Sequence, residues 1–150
     1  MTDSHPLSPP PTPESQPFWE GTSRGELRVQ RCRDTGRLLF PPRLLSPWGS
    51  HREPEWVAVS GRGTIWSFVM AHPPLLPYFA ERAPYNVVLV ALEEDANVRM
   101  VGNWVAGQGR WPEAPDARPP AIGDRVQVVF DPLESGIWLP RWVSSEGKKA

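Results

Sequence analysis

The chain of 150 residues suits one domain, or one small domain with an appendage. Its single cysteine excludes an intramolecular disulfide, and a net charge of −1 argues against a general nucleic-acid binder. No basic-plus-apolar leader opens it and no apolar run approaches the ~18 residues of a membrane helix, so a soluble cytoplasmic protein is expected.

Residues 1–16 are rich in Pro, Ser and Thr and nearly devoid of large apolar groups, so a mobile tail is expected there. Pro17 to Gly25 reads as a short helix: proline suits the first turn, Glu20 favours the positive N-terminal end, and Gly25 is a stop. Phe18 and Trp19 give it an apolar side. A helix this short does not persist alone in water. It must dock, either on this chain's own ribbon or on another subunit.

Leu27–Arg31 and Leu38–Phe40 read as the two strands of a ribbon. Cys32-Arg33-Asp34-Thr35-Gly36 and Ser46-Pro47-Trp48-Gly49-Ser50 form two facing turns at its end. Paired knuckles of this kind ordinarily carry Cys-x-x-Cys and clamp one zinc. Here Cys32 keeps one ligand position, and Thr35, Ser46 and Gly49 occupy the other three. Cys32 is expected to be a small buried thiol. A metal would need Cys32, Asp34 and His51 to converge, a poor set for structural zinc. Zinc contributes about 10–16 kcal/mol in finger peptides, whereas burying a tryptophan such as Trp48 returns about 4–6. The ribbon should therefore need the rest of the chain, or a partner, to hold it.

The run Arg31, Cys32, Gly36, Phe40, Pro41, Pro42, Arg43, Pro47 and Ser50 resembles the ribbon of the zinc-ribbon and OB-fold family known as domain of unknown function thirty-five. The resemblance extends over roughly residues 17–143. It includes Phe18-Trp19-Glu20-Gly21 as the N-terminal helix and Ser60-Gly61-Arg62-Gly63-Thr64-Ile65-Trp66-Ser67-Phe68 as the first barrel hairpin. Ala83-Pro84-Tyr85, Gly102-Asn103, Ile122-Gly123 and Leu139-Pro140-Arg141 follow in order. It implies a small subunit that partners a thiolase-like enzyme and helps bind acyl-CoA. Three of the four ligand positions depart from the family pattern, so no metal is carried over and zinc is expected to be absent.

From Glu55 the period is two. Strands are expected at Trp56–Val59, Thr64–Ala71, Val87–Leu92, Val98–Trp104, Arg125–Phe130 and Trp138–Val143. Ile65, Val69, Leu89, Ala91, Val126, Val128 and Phe130 are read as one face. Short strands, a tight Gly61-Arg62-Gly63 turn and few helical signals indicate a small closed OB-fold barrel. The expected architecture is mainly β: a tail (1–16), a helix with a metal-free rubredoxin-like ribbon (17–53), the barrel (54–143) and a flexible end (144–150). The loop 72–85 carries Leu75, Leu76, Tyr78 and Phe79, too apolar to face only water; they mark a contact or cap the barrel's open end. The loop 105–121 is Pro-rich and has no assigned role.

Seven arginines between Arg24 and Arg52 face only Glu26 and Asp34, so this segment is +5 and the remainder −6. A compact basic face suits a phosphate-bearing ligand or an acidic partner, or is simply a solvated ribbon. Under the family resemblance, Arg31, Arg33, Arg37 and Arg43 are candidates for the phosphates of CoA. Phe18, Trp19, Leu38, Phe40, Leu75, Leu76, Tyr78 and Phe79 are candidates for the partner interface. No catalytic residue is assigned: His72 stands alone, and no nucleophile elbow or phosphate loop is present. The alternative is a single-strand nucleic-acid module using some of the eight tryptophans as a stacking platform. That would need aromatics in a positive groove, and the barrel is the acidic part of the chain.

Overall fold

A computed structural model describes residues 8–109 and 119–145. The expected tails fall partly outside these residues, as do Trp111 and most of the 105–121 loop. Thr12 and Ser15 build the turn that starts the first helix: Ser15 N and Gln16 N both donate to Thr12 O, at 3.0 and 2.8 Å. Helix α1 (Gln16–Ser23) follows, with Pro17 in its first turn. Glu20 lies beyond that turn and accepts from Gln16 Nε2 at 3.0 Å, so its expected place at the helix start is not realised. Gly25, at φ +76°, ends the helix with a 6→1 bond from Glu26 N to Gly21 O and a 5→2 bond from Gly25 N to Thr22 O.

Strands β1 (Leu27–Arg31), β2 (Leu38–Leu39) and β3 (Glu55–Val59) form one antiparallel sheet in the order β2-β1-β3. The sequence reading counted β3 with the barrel. It pairs instead along its whole length with β1, from Leu27↔Val59 to Arg31↔Glu55. Gly61, at φ +72°, passes the chain to the second sheet, so the expected hairpin at Gly61-Arg62-Gly63 is a crossover between sheets. The second sheet comprises β4 (Arg62–Ala71), β5 (Tyr85–Leu92), β6 (Arg99–Gly102), β7 (Arg125–Pro132) and β8 (Trp138–Ser144). Their order is β6-β5-β4-β7-β8, every pair antiparallel. A one-turn helix, α2 (Pro77–Ala80), caps the β4–β5 loop.

This sheet curls into a half-barrel. Its edges, β6 and β8, meet at the single bridge Trp104↔Trp142, where Trp142 N donates to Asn103 O and Val105 N to Trp142 O, at 2.9 and 2.8 Å. Elsewhere a seam stays open, because β6 is only four residues long. Asn86 braces the junction: its side chain donates to Trp104 O and accepts from Trp104 N, at 2.9 and 2.7 Å.

A bulge at Trp66 shifts the β4–β5 register between Ile65 and Ser67. Ile65 therefore points inward, opposite Val90, while Val69 turns outward, opposite Val87. The inward residues of β5 are Val88, Val90 and Leu92, and Leu89 and Ala91 lie on the other face. The single apolar face read from the sequence holds for Val126, Val128 and Phe130 but fails across the bulge, since one inserted residue reverses side-chain parity.

Phe18 is 5% exposed and packs into the same core as Leu27, Val29, Val88 and Trp142. Its ring meets Trp19 at 4.8 Å and Phe40 at 5.4 Å. The helix thus docks on its own chain, against β1, β7 and β8. This corrects Phe18 as a partner anchor; a side chain already buried among its own strands has no surface to offer.

The two knuckles are joined by polar contacts. The Asp34 carboxylate takes the Ser50 amide at 2.7 Å and also bonds the Ser50 hydroxyl and the Arg52 guanidinium. Gly49 makes room for it: a Cβ there would lie 2.6 Å from Asp34 Cβ, and its φ is +66°. Gln30 grips the arm between the knuckles, accepting from Arg43 N at 2.7 Å and donating to Arg43 O at 2.9 Å.

Phe18→Ala should lower unfolding stability by about 3–5 kcal/mol, the range for a buried phenylalanine, as measured by denaturant titration. A surface helix would lose far less. The Ser50 hydroxyl and amide and the Arg52 guanidinium hold Asp34 well below the usual carboxylate range. A depressed folded-state value stabilises above the unfolded value of about 3.9, and the gain is lost as pH falls through the folded one. Hydrogen exchange at the Ser50 amide should stay protected down to about pH 4 and open only below. In Asp34→Asn that amide should be weakly protected throughout.

Candidate functional site

The arginines of the ribbon fall into two sets. Arg31 is paired with Glu55 at 2.7 Å. Arg33 approaches the same carboxylate at 3.6 Å and donates to Glu53 O at 3.1 Å. Arg28 pairs with Glu26, and Arg52 with Asp34. Arg37 and Arg43 take part in none of the ion pairs found among the described residues. The Arg37 guanidinium lies over the Trp48 ring, 4.1 Å from its centroid. Arg37 and Arg43 line one cleft of about 280 Å³ between the ribbon and the β5–β6 loop, together with Phe40, Trp48, Asp95 and Asn97. Arg31 and Arg33 do not line it.

Behind Phe40 lies a second opening, an apolar groove of about 270 Å³. Phe18, Trp19, Phe40 and Pro42 wall it on one side, and Met100, Gly102, Leu139 and Pro140 of the two sheet edges on the other. The groove is therefore the open seam of the half-barrel, roofed by helix and ribbon. Arg141 at its margin is committed to the buried carboxylate of Asp131 at 3.0 Å and to Asn103 Oδ1 at 3.1 Å.

Trp19, Leu38 and Phe40 are half-buried against the core. In the 72–85 loop, Leu76 is 56% exposed, while Leu75, Tyr78 and Phe79 are half-buried. Arg82 lies over the Tyr78 ring at 3.8 Å, and the Phe79 and Tyr85 rings are 6.0 Å apart. Much of this loop caps its own hairpin. The larger exposed apolar surface went unread in the sequence: Trp66 (50%), Val69 (60%) and Val101 (66%) on the outer face of β4-β5-β6. The signal was present. Val87 to Leu92 is apolar at every position, and a strand apolar on both faces in a sheet with one core leaves the other face bare. Leu44 and Leu45 in the ribbon are also exposed.

Among the described residues the tryptophans do not form a stacking platform. Trp142 is fully buried, Trp56, Trp104 and Trp138 pack against the core, and Trp66 lies under the Arg99 guanidinium at 3.8 Å. His72 is exposed on the loop, and His51 faces Ser46 O at 3.0 Å. Among the described residues no helix is long and apolar enough to cross a membrane.

At the knuckles, Cys32 is buried with Sγ 3.8 Å from Trp48 O. The hydroxyls of Ser46 and then Thr35 lower its thiol to about 7. Ser46 Oγ donates to Trp48 O at 3.1 Å, and Asp34 fills the space beside Gly49. One thiolate, two hydroxyls and a glycine do not make a zinc donor set. Among the described residues, no group of three or more His, Cys, Asp or Glu is placed to hold a metal ion.

Two family models match the chain: the ChsH2 C-terminal OB-fold domain over residues 56–131 and the ChsH2 rubredoxin-like zinc ribbon over 19–45. A Mycobacterium tuberculosis protein, the 3-oxo-4,17-pregnadiene-20-carboxyl-CoA hydratase alpha subunit, is 43% identical over 57% of this chain, which spans only 26% of that protein's length. A DUF35 domain-containing scaffold protein of Methanothermobacter thermautotrophicus is 31% identical over 71% of this chain and 73% of its own. Among solved structures, a chain of the Ltp2-ChsH2(DUF35) aldolase superposes with a TM-score of 0.73 at 28% identity, covering 92% of this chain and 99% of that one. Ribbon, helix and half-barrel are covered together by that superposition, and the chain belongs to the DUF35 family of ChsH2-type OB-fold proteins.

Proposed function

We propose that this chain is a non-catalytic accessory subunit of a thiolase-like enzyme. In this reading it helps bind acyl-CoA and steadies the catalytic partner during carbon–carbon bond cleavage or formation. The observation that carries the proposal is the near end-to-end likeness to the ChsH2-type chain of an aldolase. The geometry adds support. Arg37 and Arg43 offer guanidinium groups to a phosphate, and the apolar groove on the other side of Phe40 suits the acyl part of an amphipathic ligand. Arg31 and Arg33 share the single Glu55 carboxylate and stand outside this cleft. The outer face around Trp66, Val69 and Val101 is the partner surface in this reading.

Co-expression with the thiolase-like enzyme that co-purifies from the native host tests this. Val69→Asp with Val101→Asp should weaken association roughly 30-fold, as loss of an anchor worth about 2 kcal/mol would. Melting of the chain should hold. Arg37→Ala with Arg43→Ala should leave association intact, weaken CoA binding by the complex and flatten its salt dependence. Unchanged CoA affinity would remove the cleft from the reading.

The ribbon works without zinc in this proposal. Metal analysis should find far less than one zinc per chain, and Cys32→Ser should change neither metal content nor association.

A further inference from the structure

On the outer face of β4, β5 and β6 runs a shallow apolar groove of about 220 Å³, walled by Trp66, Val69, Leu89 and Val101. No residue lining it is charged. Its Trp66 wall carries a cation: the Arg99 guanidinium lies over the indole, 3.8 Å from the ring centroid. Arg99 and Val101 stand two residues apart on β6, opposite Ala91 and Leu89, so both project from this face while Met100 turns inward. Among the described residues Arg99 takes part in no ion pair, and its Nε is buried with no hydrogen-bond partner. Its two terminal nitrogens also lack a partner there and are not buried. Three acids precede β6 in the sequence, and each is engaged elsewhere: Glu93 with Arg62, Glu94 with the Ser60 amide at 2.6 Å and Asp95 with the Asn97 amide at 2.9 Å.

Arg99 is half-buried. A guanidinium partly out of water with no anion beside it has lost hydration that nothing in the chain returns. Stacked on Trp66, it is held in place before any partner arrives, which lowers the ordering cost of binding. Tryptophan and arginine are the side chains enriched where interfaces are strongest. A wholly apolar partner would seal the charge in unpaired, which is costly. A second copy of this face would bring another cation and, among the residues lining the groove, no carboxylate. On the reading that this face is the partner surface, we propose that the catalytic subunit docks here with an apolar side chain in the groove and an Asp or Glu beside it. That carboxylate accepts charge-assisted hydrogen bonds from the terminal nitrogens of Arg99.

The test measures association of the full chain with the thiolase-like enzyme that co-purifies from the native host, by surface plasmon resonance. Arg99→Gln should weaken binding roughly 30-fold or more, because the partner's carboxylate is left buried and unpaired. The loss should lie in the dissociation rate, with the association rate nearly unchanged, as for a desolvated pair rather than a steering charge. Arg99→Lys should recover only part of it, since an ammonium lacks the planar fork. One carboxylate of the partner, found by changing its Asp and Glu residues to Asn and Gln one at a time, should cost the same factor. Combining that change with Arg99→Gln should cost little more. The scan of the partner runs on the unaltered chain, so it stays decisive if Arg99→Gln fails to fold. Wild-type affinity in a folded Arg99→Gln, a loss confined to the association rate, or a scan in which no carboxylate matters would each overturn the proposal. If Val69→Asp with Val101→Asp weakens association and Arg99→Gln does not, the face is the partner surface but this pair is not part of it. If neither weakens association, the face itself is excluded and the proposal falls with it.

Discussion

The five-stranded sheet curls without sealing. Edge strand β6 is four residues long and reaches β8 only through the Trp104↔Trp142 bridge. The rest of the seam would expose the inner faces of Met100 and Pro140 to water. Helix α1 covers it by burying Phe18 in the barrel's own core, and the ribbon follows because β1 is tied to the helix by the turn at Gly25. Helix, ribbon and half-barrel therefore share one hydrophobic core. A two-turn helix and a three-stranded ribbon, each marginal alone, are stable as the lid of an incomplete barrel.

The two knuckles of the ribbon are tied together by local electrostatics. Asp34 occupies the space that a side chain at position 49 would fill, and it bonds the backbone and side chains of the facing knuckle. Gln30 fixes the arm between the knuckles through both backbone groups of Arg43. These bonds and the shared hydrophobic core hold the ribbon in shape, and that shape sets Arg37 against Trp48 and holds Arg43 at the cleft.

Charge is distributed by the same architecture. Four arginines of the segment 24–52 are held in ion pairs: Glu55 binds Arg31 and Arg33, Asp34 binds Arg52 and Glu26 binds Arg28. Arg37 and Arg43 stand together at one cleft, next to an apolar groove. A basic opening and an apolar one on either side of Phe40 form a surface more specific than the charge count suggested.

The sequence by itself determined the local elements. Gly25 ended the helix, glycines and prolines set both knuckles, and period-two apolar runs marked the strands, since turns and strands are written in neighbouring residues. It also showed that Cys32 is accompanied by Thr35, Ser46 and Gly49 at the knuckle positions, because side chains can be counted. Only the tertiary structure decided which surfaces are free. Phe18 looked like an anchor until burial in the shared core claimed it, and β3 brought Glu55 to the Arg31 guanidinium from a position 24 residues away. The outward turn of Val69 followed from one bulge residue that no alternation pattern shows. Pairing, burial and parity across a bulge depend on contacts between distant segments, and a linear chain does not carry them until it closes on itself.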